Sequence, residues 1–265
     1  MNCCICGAVK NCAPFLNKVF ENVEKIGSLF DDYKIILYYD QSSDNTLEIL
    51  KQYKEKNPRL MFYNNKFEVS KFRTHRIAHA RNECIKMFYT NYSNYPYFIM
   101  MDFDDVSSQD VKIDVLKKHL HTNAWDALSF NKSHYYDIWA LSIKPYFISY
   151  RHFDPHLLDE MKNYITNKLN NLPKNKLVKC CSAFNGFSIY RASKFVNCYY
   201  DGSLRLDLVP KNFLIMNINA TKKSFKIMEP GTASSIIEDC EHRAFHLMGI
   251  NNNGARIRIS PEILF

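Results

Sequence analysis

Three carboxylates stand close together in the stretch YPYFIMMDFDDVSSQDV, residues 95–111: Asp102, Asp104 and Asp105. They follow an apolar run, Tyr97 to Met101, that is too short for a buried helix and reads as a fully buried strand. At ~4 Å each like-charged pair costs on the order of 4 kcal/mol at an effective dielectric of ~20, so such a cluster calls for a positive partner. Cys and His are absent nearby, and oxygen-only ligands suit a hard Mg²⁺ or Mn²⁺ ion that keeps waters and takes phosphate oxygens as further ligands. The competing reading is structural: Asp104 and Asp105 open a loop and cap a helix over Ser107 to Leu120.

Positive charge is most concentrated in residues 71–90, KFRTHRIAHARNECIKMFYT, which carry Lys71, Arg73, Arg76 and Arg81. Arg73 and Arg76 are neighbours at i,i+3, and the planar guanidinium fork suits phosphate oxygens. A solvated helix face is the alternative, but Arg81-Asn82 adjoins the apolar stripe of Ile77, Ala80, Cys84, Met87 and Phe88 instead of opposing it. Residues 135–141, YYDIWAL, surround Asp137 with aromatic rings. That combination suits a sugar ring, which offers apolar C–H faces and hydroxyl donors, although aromatic segments also build cores. Asn185-Gly186 interrupts the apolar run Cys181–Ile189, where glycine permits a bulge or close approach of a ligand.

The frame that must position these groups is globular. The chain has 265 residues, 46% hydrophobic and 23% charged with only 7 glycines, which bounds it to one large or two small domains and excludes disorder or a fibrous repeat. A net charge of +8 is spread over both halves without a basic tail, which argues against a nucleic-acid partner. The nine cysteines are odd in number and follow no signal peptide, so a reducing, cytoplasmic setting is expected over a disulfide framework. Cys3, Cys4, Cys6 and Cys12 match no common zinc spacing, and NCCICGAV reads as a buried strand. No apolar run approaches the ~20 residues that span a bilayer, so the expectation is a soluble enzyme, or one recruited by a partner.

Strand and helix alternate through the first third. The periodicity predicts a strand at Cys3–Val9, a helix opening at Pro14, a strand at Tyr33–Tyr39, a helix at Asn45–Lys56, a strand at Leu60–Tyr63 and the basic helix at 71–90. This order predicts an α/β protein with a parallel sheet whose ligands sit at the strands' carboxyl ends, where Gly7–Lys10, Asp40–Asp44 and Asp102–Asp105 all fall. Later strands are expected at Trp125–Phe130, Cys181–Ile189, Arg205–Ile218 and Ser224–Met228, with a final one in Ala255–Phe265. Residues 150–179 read as polar, with NKLNNLPKNK as a mobile loop, and Ile236 onward leads a short helix through His246.

In order, these segments resemble the GT-A fold of nucleotide-sugar glycosyltransferases, a Rossmann-like mixed, mostly parallel sheet flanked by helices. YYDQSSDNTLEIL is similar to the family 2 segment in which an Asp closes the second strand, and FIMMDFDD to the Asp-x-Asp motif. RIAHARN resembles an Arg-Ile-Ala…Arg-Asn helix shared with the fungal mannan-polymerase and Cap59-type mannosyltransferases. YYDIWAL, AFNGFSIYRAS and IIEDCEH resemble Cap59-type Tyr-Asp-aromatic, Asn-Gly and late Glu-Asp elements. The resemblance implies one domain over 1–265, with residues 1–105 as the nucleotide-binding half and 106–265 as the acceptor and sugar half. It implies that Gly7, Ala8, Val9 and Asp40 contact the nucleotide, with Asp44 nearby. Asp102 would contact ribose and metal, Asp104 would hold Mn²⁺ or Mg²⁺ against the diphosphate, and Arg76 and Arg81 would neutralise phosphate charge or brace the site. Asp137, Trp139, Asn185 and Gly186 would border sugar and acceptor, and Asp239 or Glu238 would be the acceptor-activating base. Asp105 is a rival ligand, and the late metal-binding His of such enzymes would be His242 or His246.

The implied reaction is metal-dependent transfer of a hexose-type unit from a nucleotide-diphosphate sugar to a hydroxyl on a glycan or other acceptor. A sugar-phosphate nucleotidyltransferase also combines strand-end carboxylates with a metal, but Gly7-Ala-Val-Lys10 is a poor version of its phosphate loop. A catalytically silent nucleotide-binding or scaffold module of the same shape is the third reading.

Overall fold

Cys3, Ile5 and Val9 on one side and Cys4 and Cys6 on the other belong to two different buried clusters, so the first strand, β1 (Asn2–Val9), is packed on both faces. The computed structural model describes residues 1–225 and 238–265. Within them the elements run α1 (Ala13–Gly27), β2 (Asp32–Tyr39), α2 (Thr46–Lys56), β3 (Leu60–Asn64), α3 (Arg73–Tyr92), β4 (Tyr97–Met101), α4 (Ile113–Leu120), β5 (Ala127–Asn131), α5 (Leu157–Asn170), β6 (Val178–Cys180), β7 (Phe187–Arg191), α6 (Lys211–Thr221), α7 (Glu241–Asn253) and β8 (Ile257–Ile263). One eight-stranded sheet has the order β3-β2-β1-β4-β7-β5-β8-β6. The pairings β3–β2, β2–β1, β1–β4 and β5–β8 are parallel, while β7 and β6 run against their neighbours.

The sheet sorts its side chains by the two-residue period of a strand. Ile35, Leu37, Ile99 and Met101 meet Leu16, Val19, Phe20 and Val23 of α1 on one face. Ile36, Phe98 and Met100 meet Ala80, Cys84 and Phe88 of α3 and Phe245 of α7 on the other. All nine cysteines are free. Burial raises the Cys84 thiol to about 12 and the Cys12 thiol to about 11, so both stay protonated and act as packing groups.

Several segments depart from the sequence reading. Residues 150–179, read as polar, contain α5, whose last turn takes in the first four residues of the expected loop 167–176; Leu157, Met161, Ile165 and Leu169 recur every four residues and are buried, a stripe masked by the Lys and Asn between them. The strand expected at Arg205–Ile218 is instead a short 3₁₀ turn, Leu206–Leu208, followed after Pro210 by α6. Phe213, Leu214, Met216 and Ile218 of α6 pack on Phe147, Ile148 and Phe153, so their apolar run serves a helix side, not two sheet faces. The helix expected over Ser107–Leu120 splits into a 3₁₀ turn at Asp105–Ser107 and α4. Cys181–Ile189 forms a strand only from Phe187, because Asn185 (φ 56°) and Gly186 (φ 87°) take left-handed backbone just before it. Of the expected strand Ser224–Met228 only Ser224 and Phe225 are described, and Ile236 and Ile237 lie outside the described residues.

Two anchors set the geometry at the sheet's carboxyl edge. Phe103 is 1% exposed and is packed against Gly7 of β1, with its ring edge-on to Phe20 at 6.2 Å. The second anchor is Arg243 of α7, which is buried and donates to Asp239 at 2.8 Å and to the carbonyls of Trp139 (2.6 Å), Leu141 (3.0 Å) and Phe147 (3.2 Å). Burial alone would raise the Asp239 carboxyl, but Arg243, together with His152, overcomes it and holds that carboxyl below its ordinary range.

Both anchors are open to test by urea unfolding. A Cβ added at Gly7 would lie 2.3 Å from the Phe103 ring and 2.7 Å from the Met101 carbonyl, so Gly7→Ala should cost about 1–3 kcal/mol. Arg243→Leu leaves Asp239 charged and unpaired, and should cost about 3–5 kcal/mol at neutral pH. Asp239 has a depressed folded-state pKa, so its pairing contributes fully above the unfolded value of about 4 and fades as pH falls through the folded value. The Arg243→Leu deficit should therefore shrink in acid; a deficit independent of pH would show that Asp239 is not what Arg243 stabilises.

Candidate active site

Along the carboxyl ends of β1, β2 and β4 runs a cleft of about 430 Å³. Its floor comes from Ala8, Val9 and Lys10 at the end of β1, Tyr38 and Asp40 at the end of β2, and Asp102 and Asp104 just after β4. One wall is α3, through Arg73, Arg76, Ile77, Ala80 and Arg81; the other comprises Tyr136, Asp137, Trp139 and Phe184, with Cys240, Glu241 and His242 at the start of α7.

The chain beyond β4 is extended, so side chains alternate. Phe103 goes into the core against Gly7, and Asp102 and Asp104 both reach the cleft. Asp102 accepts from Arg81 Nη2 at 3.0 Å and from the Tyr136 hydroxyl at 3.1 Å, while its backbone N–H donates to the Gly186 carbonyl at 2.9 Å. Among the described residues Asp104 accepts from one backbone N–H, that of Val106 at 3.1 Å, and burial together with Asp102 pushes its carboxyl up to about 6. Lys132 comes near these acids but gives its hydrogen bond to the Val106 carbonyl. Asp105 is exposed and begins the 3₁₀ turn, outside the cleft lining.

Arg81 is the buried cation of the site. It is ion-paired to Asp102 and Glu241, contacts His242 Nε2, and lies over the Phe184 ring at 4.5 Å. Burial disfavours its charge, yet Glu241 and Asp102 outweigh that and keep it ionised. The same burial, with Arg81 alongside, holds His242 neutral. His246 is spent inside the core between Ser182 Oγ and the Tyr190 hydroxyl, both at 3.0 Å. Arg76 donates to the Ser70 and Lys71 carbonyls at 2.9 and 3.0 Å, which fixes the chain entering α3. Asp40 is held by Lys10 at 2.9 Å and Asn65 at 3.1 Å.

On the opposite wall Asn185 acts as a bracket. Its side chain accepts from the Tyr136 and Asp137 N–H groups at 3.2 and 3.4 Å and donates to the Phe130 carbonyl at 3.0 Å. Among the described residues Asp137 accepts from the backbone N–H groups of Ala140 (3.2 Å) and Asn185 (3.3 Å) alone; burial, with Asp102 and Glu241 nearby, raises its carboxyl to about 6. The Arg151 guanidinium stacks on Trp139 at 3.9 Å.

Of the residues expected from sequence, Ala8, Val9, Asp40, Arg76, Arg81, Asp102, Asp104, Asp137 and Trp139 line this one cleft. Gly7, expected at the nucleotide, lies beneath Phe103 instead, where its missing side chain makes room for the ring. Asn185 and Gly186 support the wall and the Asp102 backbone without lining the cleft. Asp239 faces Arg243, and Glu238 accepts from the Thr74 hydroxyl (2.7 Å) and N–H (3.3 Å) at the start of α3, so neither is placed to receive an acceptor's proton. Asp44 likewise caps, accepting from Ala13 and Thr46 N–H groups at 3.0 Å. Glu241, Tyr136 and Phe184 fall inside segments that the sequence reading singles out, but it assigns none of them a site role of its own.

Among the described residues no group of three or more His, Cys, Asp or Glu side chains is arranged to hold a metal ion. A hard cation that completes its shell with phosphate oxygens and water needs only one or two carboxylates, and Asp104, which makes no ion pair among the described residues, beside Asp102 fits that requirement.

Comparison with known proteins adds the family. TarS of S. aureus (residues 1–349, in complex with UDP-GlcNAc) is 13% identical over 99% of this chain and 57% of that one, with a TM-score of 0.47. The mannosyltransferase PcManGT from Pyrobaculum calidifontis, in complex with GDP-Man and Mn²⁺, is 17% identical over 49% of this chain and 35% of that one, with a TM-score of 0.36. The chain thus covers between 35% and 57% of the length of these two structures. A search of curated proteins gives no match. The description "Glycosyl transferase family 2" matches residues 4–193, from β1 through β7 and across the carboxylate motif. The chain, with its mixed, mostly parallel GT-A sheet, belongs to glycosyl transferase family 2.

Proposed function

We propose that this chain transfers a sugar from a nucleotide-diphosphate sugar to a hydroxyl acceptor, with Mn²⁺ or Mg²⁺ held by Asp102 and Asp104. The observation that carries this reading is the placement of those two carboxylates at the strand edge, in one cleft with Arg73, Arg76 and Arg81. A cation bound there supplies positive charge to the departing diphosphate. Ala8, Val9 and Asp40 border the nucleoside end. Arg81 fixes the orientation of Asp102, and Arg73 and Arg76 present guanidinium groups toward phosphate oxygens.

Asp137 takes the role that Asp239 had been expected to fill. It lines the cleft, makes no ion pair among the described residues, and has a carboxyl raised to about 6, near the pH at which a general base is efficient. In an inverting displacement it receives the acceptor hydroxyl's proton while fixed dipoles and charges oppose the charge that develops in an oxocarbenium-like transition state. Glu241 is the weaker base because its carboxylate is already committed to Arg81. Tyr136, Trp139 and Phe184 offer the aromatic faces against which sugar C–H surfaces pack.

Release of nucleoside diphosphate from a panel of nucleotide sugars, with and without Mn²⁺, tests the reading. Asp104→Asn should abolish the metal-stimulated component. Asp137→Asn should lower kcat by roughly 10²–10⁴-fold with little change in donor KM. Pyrophosphate release from a nucleoside triphosphate would favour a nucleotidyltransferase instead, and donor binding without release would favour a binding module.

A further inference from the structure

The turn between β3 and α3 holds a phenylalanine out in solvent and does so by construction. Phe67 is 76% exposed, with Tyr63 (44%) and Val69 (40%) beside it in the chain. Its backbone is stitched at both ends by one amide: Asn65 donates to the Phe67 carbonyl at 2.6 Å and accepts from the Phe67 N–H at 3.2 Å. Asn65 is itself only 5% exposed, donates its backbone N–H to the Tyr39 carbonyl at 2.9 Å, and uses its other amide hydrogen on Asp40. A buried, fully engaged asparagine therefore fixes an apolar ring facing outward. Exposed Lys66 and Lys71 flank that ring, Arg73 follows two residues later, and Glu68 is the one acid in residues 65–73.

We propose that this turn is a docking surface for a lipid bilayer carrying anionic headgroups. One exposed ring with a half-exposed tyrosine and valine beside it is too little area for a stable protein interface. It is, however, the combination that gives reversible attachment to a membrane surface: an apolar wedge for the interfacial zone and cations for the headgroups. Among the described residues no helix is long and apolar enough to cross a membrane, so attachment through this turn is peripheral. Arg73 opens α3 directly after the turn and also lines the cleft, so docking brings the cleft's mouth to the lipid surface. On the function proposed above, that orientation suits an acceptor carried at the bilayer; the docking itself requires no turnover and stands or falls separately.

Co-sedimentation of the purified chain with vesicles tests it, using phosphatidylcholine alone and phosphatidylcholine mixed with phosphatidylserine. The chain should partition onto the mixed vesicles at low salt and largely come off at high salt, with little on neutral ones. Lys66→Ala combined with Lys71→Ala should lower the partition coefficient about thirtyfold, and Phe67→Ser about tenfold. Ile215→Ser, which removes a 56% exposed apolar side chain from α6, should leave it unchanged. In a Phe67→Trp variant the new indole should be quenched by brominated lipid in mixed vesicles. Equal partition onto neutral and anionic vesicles, no partition at all, or a loss with Ile215→Ser but not with Phe67→Ser would each overturn the proposal. Normal thermal unfolding of every variant excludes misfolding as the cause.

Discussion

The site depends on one constraint: two carboxylates separated by a single residue are forced onto the same side of an extended chain because the residue between them is buried. Phe103 has nowhere to go but the space above Gly7, and once it is seated Asp102 and Asp104 must share the cleft. Their mutual repulsion is offset on one side only. Asp102 has Arg81 and the Tyr136 hydroxyl, whereas Asp104 has one backbone N–H and a carboxyl pushed toward neutrality. An arrangement in which one acid is satisfied and its neighbour is left wanting positive charge is what a cation-binding edge requires.

Around that edge, the acidic residues late in the chain divide their labour. Glu238 ties the start of α3, Asp239 works through Arg243 on the segment that carries Trp139, and Glu241 balances Arg81. The first two hold the walls of the cleft and the third faces into it. Asp137, on the far wall, is left with only backbone donors, so its protonation is set by burial and by neighbouring carboxylates at a distance. This division explains how four acids within a small volume can coexist: each has a different partner.

The central β1, β2 and β4 were legible because both faces of each are apolar over a short run, and the carboxylates at their ends followed from position alone. Arg81 was legible for a related reason, since its place beside an apolar stripe implied burial. Helices α5 and α6 were not. The four-residue stripe of α5 is diluted by Lys and Asn, and the continuous apolar run of α6 has no period with which to tell helix from strand. Which of Glu238, Asp239 and Glu241 lines the cleft was not legible, because the three lie within four residues of one another and only the turn into α7 decides it. Gly7 was misread because a glycine at a strand end reads equally as room for a ligand and as room for a ring.

The central claim is that Asp102 and Asp104 grip a cation which grips a diphosphate. Titration calorimetry of a nucleoside diphosphate into the chain, with and without saturating Mn²⁺, addresses it most directly. The account predicts an affinity at least ~10-fold higher with the metal, equivalent to about 1.4 kcal/mol. Equal affinity in both conditions would contradict it.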